Sequence, residues 1–357
     1  MKTIKELETT IDQLSIEGNA PIQYDEEALL SAFNEDNHHK SVGTTILSVV
    51  GGIMVSLFSL LFIAMTNIYD SSTALIVLGA ILFAGTIYLS RKITSIFYDT
   101  ISVCTLMISA ILIIVGLSLI LKTENAINGI FLILSLISLI ANKKYILSFI
   151  SLIAFNASII FFIINNNWFD AYYFQVTAIA LLLYYISYKE GTIITKSKEL
   201  SLRYSPIHTG LMICLVVGLY FARLYTYDFN ITFLHLIPNI TFLILIFLQI
   251  PYLLTQFDIQ EKKAKGWVYV ITTIALLTMA NYAPMTGSLF LLLISFRFNH
   301  KIGITLAIIS FVFYTINYYY SISLTLFTKS MLMMLTGIVF IGIFLITNKK
   351  WSTHESK

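Results

Sequence analysis

From residue 43 onward the chain alternates long apolar runs with short polar breaks, and the runs are too long for strands or for the core helices of a soluble domain. They read as 43–67, 72–90, 100–121, 126–141, 145–164, 171–188, 207–226, 231–254, 266–282, 285–297, 302–319 and 328–347. A helix rises about 1.5 Å per residue, so about twenty residues cross a hydrocarbon layer about 30 Å thick. The pattern therefore predicts an all-α, polytopic membrane protein of about twelve transmembrane helices. Runs 126–141 and 285–297 are the two of marginal length.

Ahead of the first run the pattern changes. Ile4, Leu7, Ile11 and Leu14 recur at helical spacing, Gly18 and Pro21 stop that helix, and Asp25 can cap a second through Ala28, Leu29 and Phe33. Residues 1–40 are thus read as a small cytosolic helical hairpin, residues 41–348 as the membrane bundle, and 349–357 as a cytosolic tail. The hairpin holds three lysines against nine acids. A membrane-surface anchor needs the opposite sign, so docking onto cytosolic loops is the expected role. An acidic stretch before the first run also argues against a cleaved signal peptide.

Charge orients the bundle. With a cytosolic start and strict alternation, only Lys122, Arg223 and Lys329 of the 22 basic residues fall outside. That is the positive-inside distribution, with both termini in the cytoplasm. The same residues sit in short loops between apolar runs, which leaves no surface for nucleic acid. Only 11% of the chain is charged, far below the quarter or so of soluble domains. Cys104 and Cys214 lie inside apolar runs without a companion at metal-ligand spacing. The polar stretch Lys189–Ser205 parts the first six runs from the last six, a division at 189–206 compatible with a pseudo-repeat.

Ionisable groups within the hydrocarbon are costly and become the first functional candidates. They are Asp99 near the cytosolic start of the third run, Arg223 at the outer end of the seventh, His235 in the eighth and Lys329 at the outer start of the last. Asp99 can pair with Arg91 or Lys92. Arg223 can pair with Asp228, and Arg223 and Lys329 can both reach water with long side chains. His235 has no second ligand beside it and is read as a hydrogen-bonding group. With Pro238 and Asn239 it marks the place where the eighth helix is expected to kink and gather polar groups. The amides Asn128, Asn156, Gln175, Asn239, Gln249, Asn281 and Asn317 are read as interhelical glue. Asp70, in the first outer loop, holds a position where polyprenyl-dependent membrane glycosyltransferases often carry an acid. No nucleophile elbow, phosphate loop, zinc signature or dinucleotide fingerprint appears, so neither cofactor nor metal is expected.

The stretch joining the last two runs is the most distinctive: Tyr319-Tyr320, Ile322, Leu326-Phe327, Lys329-Ser330 and Gly337. It resembles a family of bacterial multi-pass membrane proteins of unknown function, often encoded beside or fused to a membrane-anchored protein named for its GDYxxLxY motif. The resemblance implies a bacterial cytoplasmic-membrane location and a GDYxxLxY-type partner, and it transfers no catalytic residue. Ser330 can satisfy free N–H groups at the start of the last helix, whereas Lys329 opposes the helix dipole there and so calls for a partner. Three readings follow. The first is a non-enzymatic scaffold or assembly subunit that meets a partner or lipid at its outer face, through Arg223, His235, Asn239, Tyr319, Tyr320, Lys329 and Ser330. The second is a secondary transporter of a small solute, although the loop Ser90–Thr94 lacks the Gly-Asp-Arg pattern of the major facilitators. The third is an enzyme acting on a lipid-linked substrate through Asp70 or His235.

Overall fold

The computed structural model describes residues 42–66, 71–92, 96–121, 123–142, 144–228, 233–256, 261–279 and 282–321, with scattered positions between Phe327 and Ile341. In chain order the helices are α1 (Val42–Met65), α2 (Ser72–Lys92), α3 (Ile96–Ile120), α4 (Glu124–Ala141), α5 (Tyr145–Asn165), α6 (Ala171–Tyr188), α7 (Glu190–Lys196) and α8 (Lys198–Asp228). A 3-10 turn, Phe233–His235, leads into α9 (Leu236–Gln256), followed by α10 (Lys262–Met279), α11 (Ala283–Arg297) and α12 (Lys301–Ser321). No strand occurs among the described residues. Each of the first eleven apolar runs coincides with one of these helices. The N-terminal hairpin, Asp70, Lys329, the tail and most of the twelfth run lie outside the described residues.

Among the described residues seven helices are long and apolar enough to cross a membrane: α2, α3, α4, α5, α8, α9 with its 3-10 turn, and α12. Their outward faces are apolar too, with Ile81 62%, Phe161 55% and Ile309 61% exposed. In water each such side chain would forgo about 1.5–3 kcal/mol of burial. Against acyl chains that penalty disappears, and the chain is an integral membrane protein of the all-α class.

Most of the core is one apolar cluster built from α5, α6, α8, α9, α10, α11 and α12, including Tyr172, Leu183, Leu215, Leu219, Phe242, Leu276, Phe290 and Tyr314. A smaller cluster, Ile63, Leu75, Ile108 and Leu112, joins α1, α2 and α3. Helix α11 explains its own marginal length. Its 15 residues span only about 22 Å, yet Met285, Thr286, Gly287, Ser288, Phe290, Leu291, Ile294 and Ser295 are all buried. Protein surrounds it, so the helix need not match the lipid thickness. Tyr282 at its start meets Tyr318 at the end of α12. Arg297 at its end meets Tyr252 and Tyr188, at the ends of α9 and α6. It therefore runs from one end of the bundle to the other.

The polar stretch Lys189–Ser205 forms α7 and, after a break at Ser197, the first two turns of α8, which continues through Pro206. One local expectation is corrected. Pro238 does not kink a helix, because α9 starts at Leu236. A proline in the first turn forfeits an N–H that has no intrahelical acceptor anyway.

Candidate functional site

The helix ends sort into two groups. One end of the bundle holds Arg91, Lys144, Lys189, Arg203, Arg297 and Lys301, and is called the basic end below. The other holds Tyr172, Tyr282, Tyr318, Tyr319 and Tyr320, and is called the tyrosine end.

At the basic end α4 finishes with carbonyls that have no intrahelical donor. Arg91 supplies two hydrogen bonds to the Ala141 carbonyl, from Nε at 3.3 Å and Nη2 at 3.0 Å. Arg203 Nη2 donates to the Ile140 carbonyl at 2.6 Å. Both cations also suit the negative end of the helix dipole. Beneath them a buried ladder runs inward: Ser90 Oγ donates to Asn142 Oδ1 at 3.0 Å, Asn142 Nδ2 to Ser138 Oγ at 3.0 Å, and Ser138 and Ser151 share a 2.6 Å bond. Asp99 forms an ion pair with Lys144 at the start of α5, not with Arg91; the Lys92 side chain lies outside the described residues. Arg91 is instead drawn to α4.

Farther along this end lies a cluster that hydropathy did not single out. Asn299 adopts φ 52°, the left-handed conformation that asparagine tolerates after a helix. His300 N donates to the Ser295 carbonyl at 2.8 Å across that turn. The turn sets the His300 ring against His208, with centroids 4.6 Å apart. His208 on α8 is only 1% exposed. Its Nε2 bonds Ser187 Oγ at 2.8 Å and Tyr204 stacks on its ring, while Nδ1 is buried without a hydrogen-bond partner among the described residues. Glu190 on α7 lies within electrostatic range of the Tyr204 hydroxyl. The Arg297 guanidinium lies 3.9 Å from the centre of the Tyr252 ring and 5.8 Å from that of Tyr188, which pins α11 to α9 and α6 by cation–π attraction. His208 is the second residue of its apolar run, and that position was the one signal available. Its partner stands 92 positions away.

At the tyrosine end Arg223, near the end of α8, is half-buried, and its Nε has no hydrogen-bond partner among the described residues. Arg223, Tyr220 and Tyr282 are all within electrostatic range of the Tyr314 hydroxyl, which itself donates to the Val216 carbonyl at 2.7 Å. Tyr282 and Tyr318 pack at 4.9 Å. Tyr319 meets Tyr320 edge-on at 5.5 Å, and Tyr320 is 76% exposed. Asn239 is buried. It donates from Nδ2 to the His235 carbonyl at 3.4 Å and accepts at Oδ1 from Thr286 at 3.2 Å, tying α9 to α11. The polar groups beside Pro238 thus satisfy one another. The amide glue expected from the sequence is present at Asn156–Gln175, 2.7 Å apart between α5 and α6. Asn317 instead bonds the Phe313 carbonyl of its own helix. Gln249 is fully buried with neither amide atom hydrogen-bonded among the described residues. Ser330 is exposed, and Lys329 lies outside the described residues. No group of three or more metal-ligating side chains occurs among the described residues.

Residues 43–350 match the family model described as Domain of unknown function (DUF4401). No curated protein and no solved structure matches the chain.

Proposed function

From the premise that this chain belongs to the DUF4401 family, we propose that it is a non-enzymatic membrane scaffold or assembly subunit that engages a partner at its tyrosine end. The observation that carries this reading is Arg223. Arg223 is half-buried within electrostatic range of the Tyr314 hydroxyl, and Nε lacks an acceptor among the described residues. Arginine and tyrosine are among the side chains that dominate binding at protein interfaces, and Tyr320 stands exposed at the same end. In this reading the protein lies in a bacterial cytoplasmic membrane with its basic end and both termini in the cytoplasm, as the distribution of lysine and arginine supports. A GDYxxLxY-type membrane protein is the proposed partner, with Lys329 and Ser330 at the same rim. Co-expression and affinity purification in mild detergent test it. The pair should copurify, and Arg223→Ala with Tyr320→Ala should weaken recovery about ten-fold or more, two such contacts being worth at least about 1.4 kcal/mol together. Recovery of each protein alone, or unchanged copurification by the double variant, would refute the reading.

One observation favours a second reading, secondary transport. Gln249, Ser295 and His208 Nδ1 are buried with unused hydrogen-bonding capacity among the described residues, and transporters line their paths with such groups. The division at 189–206 belongs with this reading. Solute uptake into proteoliposomes that is lost in Gln249→Leu would favour it over the scaffold.

A further inference from the structure

A cavity of about 270 Å³ opens between α2–α3 and α4–α5. Its walls are Phe83, Met107, Ile111, Ile114, Phe131 and Leu134, with Ser135, Ser138 and Ser151 the only hydroxyls among the lining residues. It lies in the seam between the small cluster of α1–α3 and the main core. We propose that this seam is the binding site of one anionic phospholipid, with an acyl chain in the cavity and the phosphate on Arg91 and Arg203.

The lining selects a hydrocarbon chain. Along α3 the cavity follows Leu106 to Ile114, about 13 Å of helix, and apart from three serine hydroxyls already hydrogen-bonded within the protein its wall is apolar.

The headgroup is selected by what stands at one mouth. Phe131, Leu134, Ser135 and Ser138 follow one face of α4 at helical spacing, and the next turn of that face is Ala141, where Arg91 is bound. Phe83 and Arg91 are eight residues apart on α2 and share a face, so the cavity leads towards the guanidinium. Arg203 arrives from α8 on the neighbouring carbonyl of Ile140. A guanidinium carries five N–H donors. Arg91 uses Nε and Nη2 on Ala141, and Arg203 uses Nη2 on Ile140. Two cations on adjacent carbonyls thus retain N–H groups for phosphate oxygens. Lys144 is committed to Asp99 and is not needed.

The test uses the full-length protein in mild detergent, stripped of lipid and titrated by native mass spectrometry with phosphatidylglycerol or phosphatidylcholine of identical acyl chains. One phosphatidylglycerol should bind about ten-fold or more tightly than phosphatidylcholine, as charge-assisted hydrogen bonds to two arginines require. Arg91→Gln with Arg203→Gln should reduce phosphatidylglycerol to the phosphatidylcholine level, and these exposed or half-buried substitutions leave the core intact. Ala154→Phe, which fills the cavity, should abolish retention of both lipids with the helical circular dichroism unchanged. Equal binding of the two lipids, charge variants that keep the preference, or a filled cavity that still holds phosphatidylglycerol would each overturn the proposal. So would displacement of the lipid by glycerol phosphate at equal concentration, which would make the site one for phosphate alone. A shift to a dimeric mass on filling the cavity, with lipid retained, would assign the seam to protein and equally overturn it.

Discussion

Helices α2 and α3 approach each other at two glycines. A Cβ placed on Gly79 would stand 2.7 Å from Ile113 Cγ1, 3.1 Å from the Ser109 carbonyl oxygen and 3.2 Å from Ile113 N. One placed on Gly116 would stand 2.8 Å from Ile76 Cγ1, 3.0 Å from the Ser72 carbonyl oxygen and 3.1 Å from Leu75 Cβ. Part of each collision is with backbone, which cannot rotate away, so the helices must separate by tenths of an ångström. Close approach through small residues is how helices associate where lipid removes the hydrophobic drive. Alanine in an exposed helix interior gains about 1 kcal/mol over glycine, while overpacking costs about 1–3 kcal/mol. Gly79→Ala and Gly116→Ala should therefore each lose about 0–2 kcal/mol, and the double variant up to about 4 kcal/mol if the sites add. Gly85 and Gly129 have nothing within 4 Å of the same position, so alanine there should gain up to about 1 kcal/mol. Unfolding of the purified protein in detergent, followed by circular dichroism, reads both pairs. Stabilisation of the Gly79→Ala, Gly116→Ala protein to the extent seen with Gly85→Ala, Gly129→Ala would refute the close packing.

Asn156→Ala and Gln175→Ala, combined in a double-mutant cycle, should show a coupling of about 0.6–1.7 kcal/mol, the range for hydrogen bonds between membrane helices; additive losses would deny the bond. Ser187→Ala should cost about 1–3 kcal/mol by stripping the buried His208 Nε2 of its partner, whereas Ser310→Ala, whose hydroxyl bonds only the Ala307 carbonyl of its own helix, should stay within about 0.5 kcal/mol. Equal losses at the two serines in thermal melts would argue against the histidine cluster. Asp99→Asn should lose at most about 1 kcal/mol, and less in high salt, because the Lys144 and Asp99 side chains are 19% and 34% exposed; a larger, salt-insensitive loss would mean that the pair is shielded from solvent.

The helices were legible because transfer of each residue to lipid is nearly additive, so a run of twenty apolar positions needs no knowledge of its neighbours. What hydropathy cannot register is a helix that outlasts its apolar layer. Lys198 to Ser205 stands outside the seventh apolar run for that reason, yet it begins the same helix. Pairings across the bundle were less accessible still. Asp99 meets Lys144 because α5 starts beside α3, while Arg91 is held by α4, and neither fact is encoded near Asp99 in the chain. His208 and His300 meet through a left-handed asparagine turn after a central helix. Tyr319 and Tyr320 were legible as neighbours at a run boundary, and they lie at the end of α12. The internal geometry of the tyrosine end was not, because Tyr314 and Tyr282 read as ordinary members of apolar runs.

The proposed topology requires one basic end and one tyrosine end on opposite sides of a membrane. Single cysteines at Lys189, Lys301, Asn166 and Tyr320, in a background with Cys104 and Cys214 replaced by alanine, report this directly through a membrane-impermeant maleimide applied to intact cells. Asn166 and Tyr320 should label from outside, and Lys189 and Lys301 only after the membrane is opened. Labelling of Lys301 and Tyr320, the two ends of α12, from the same side would contradict the arrangement.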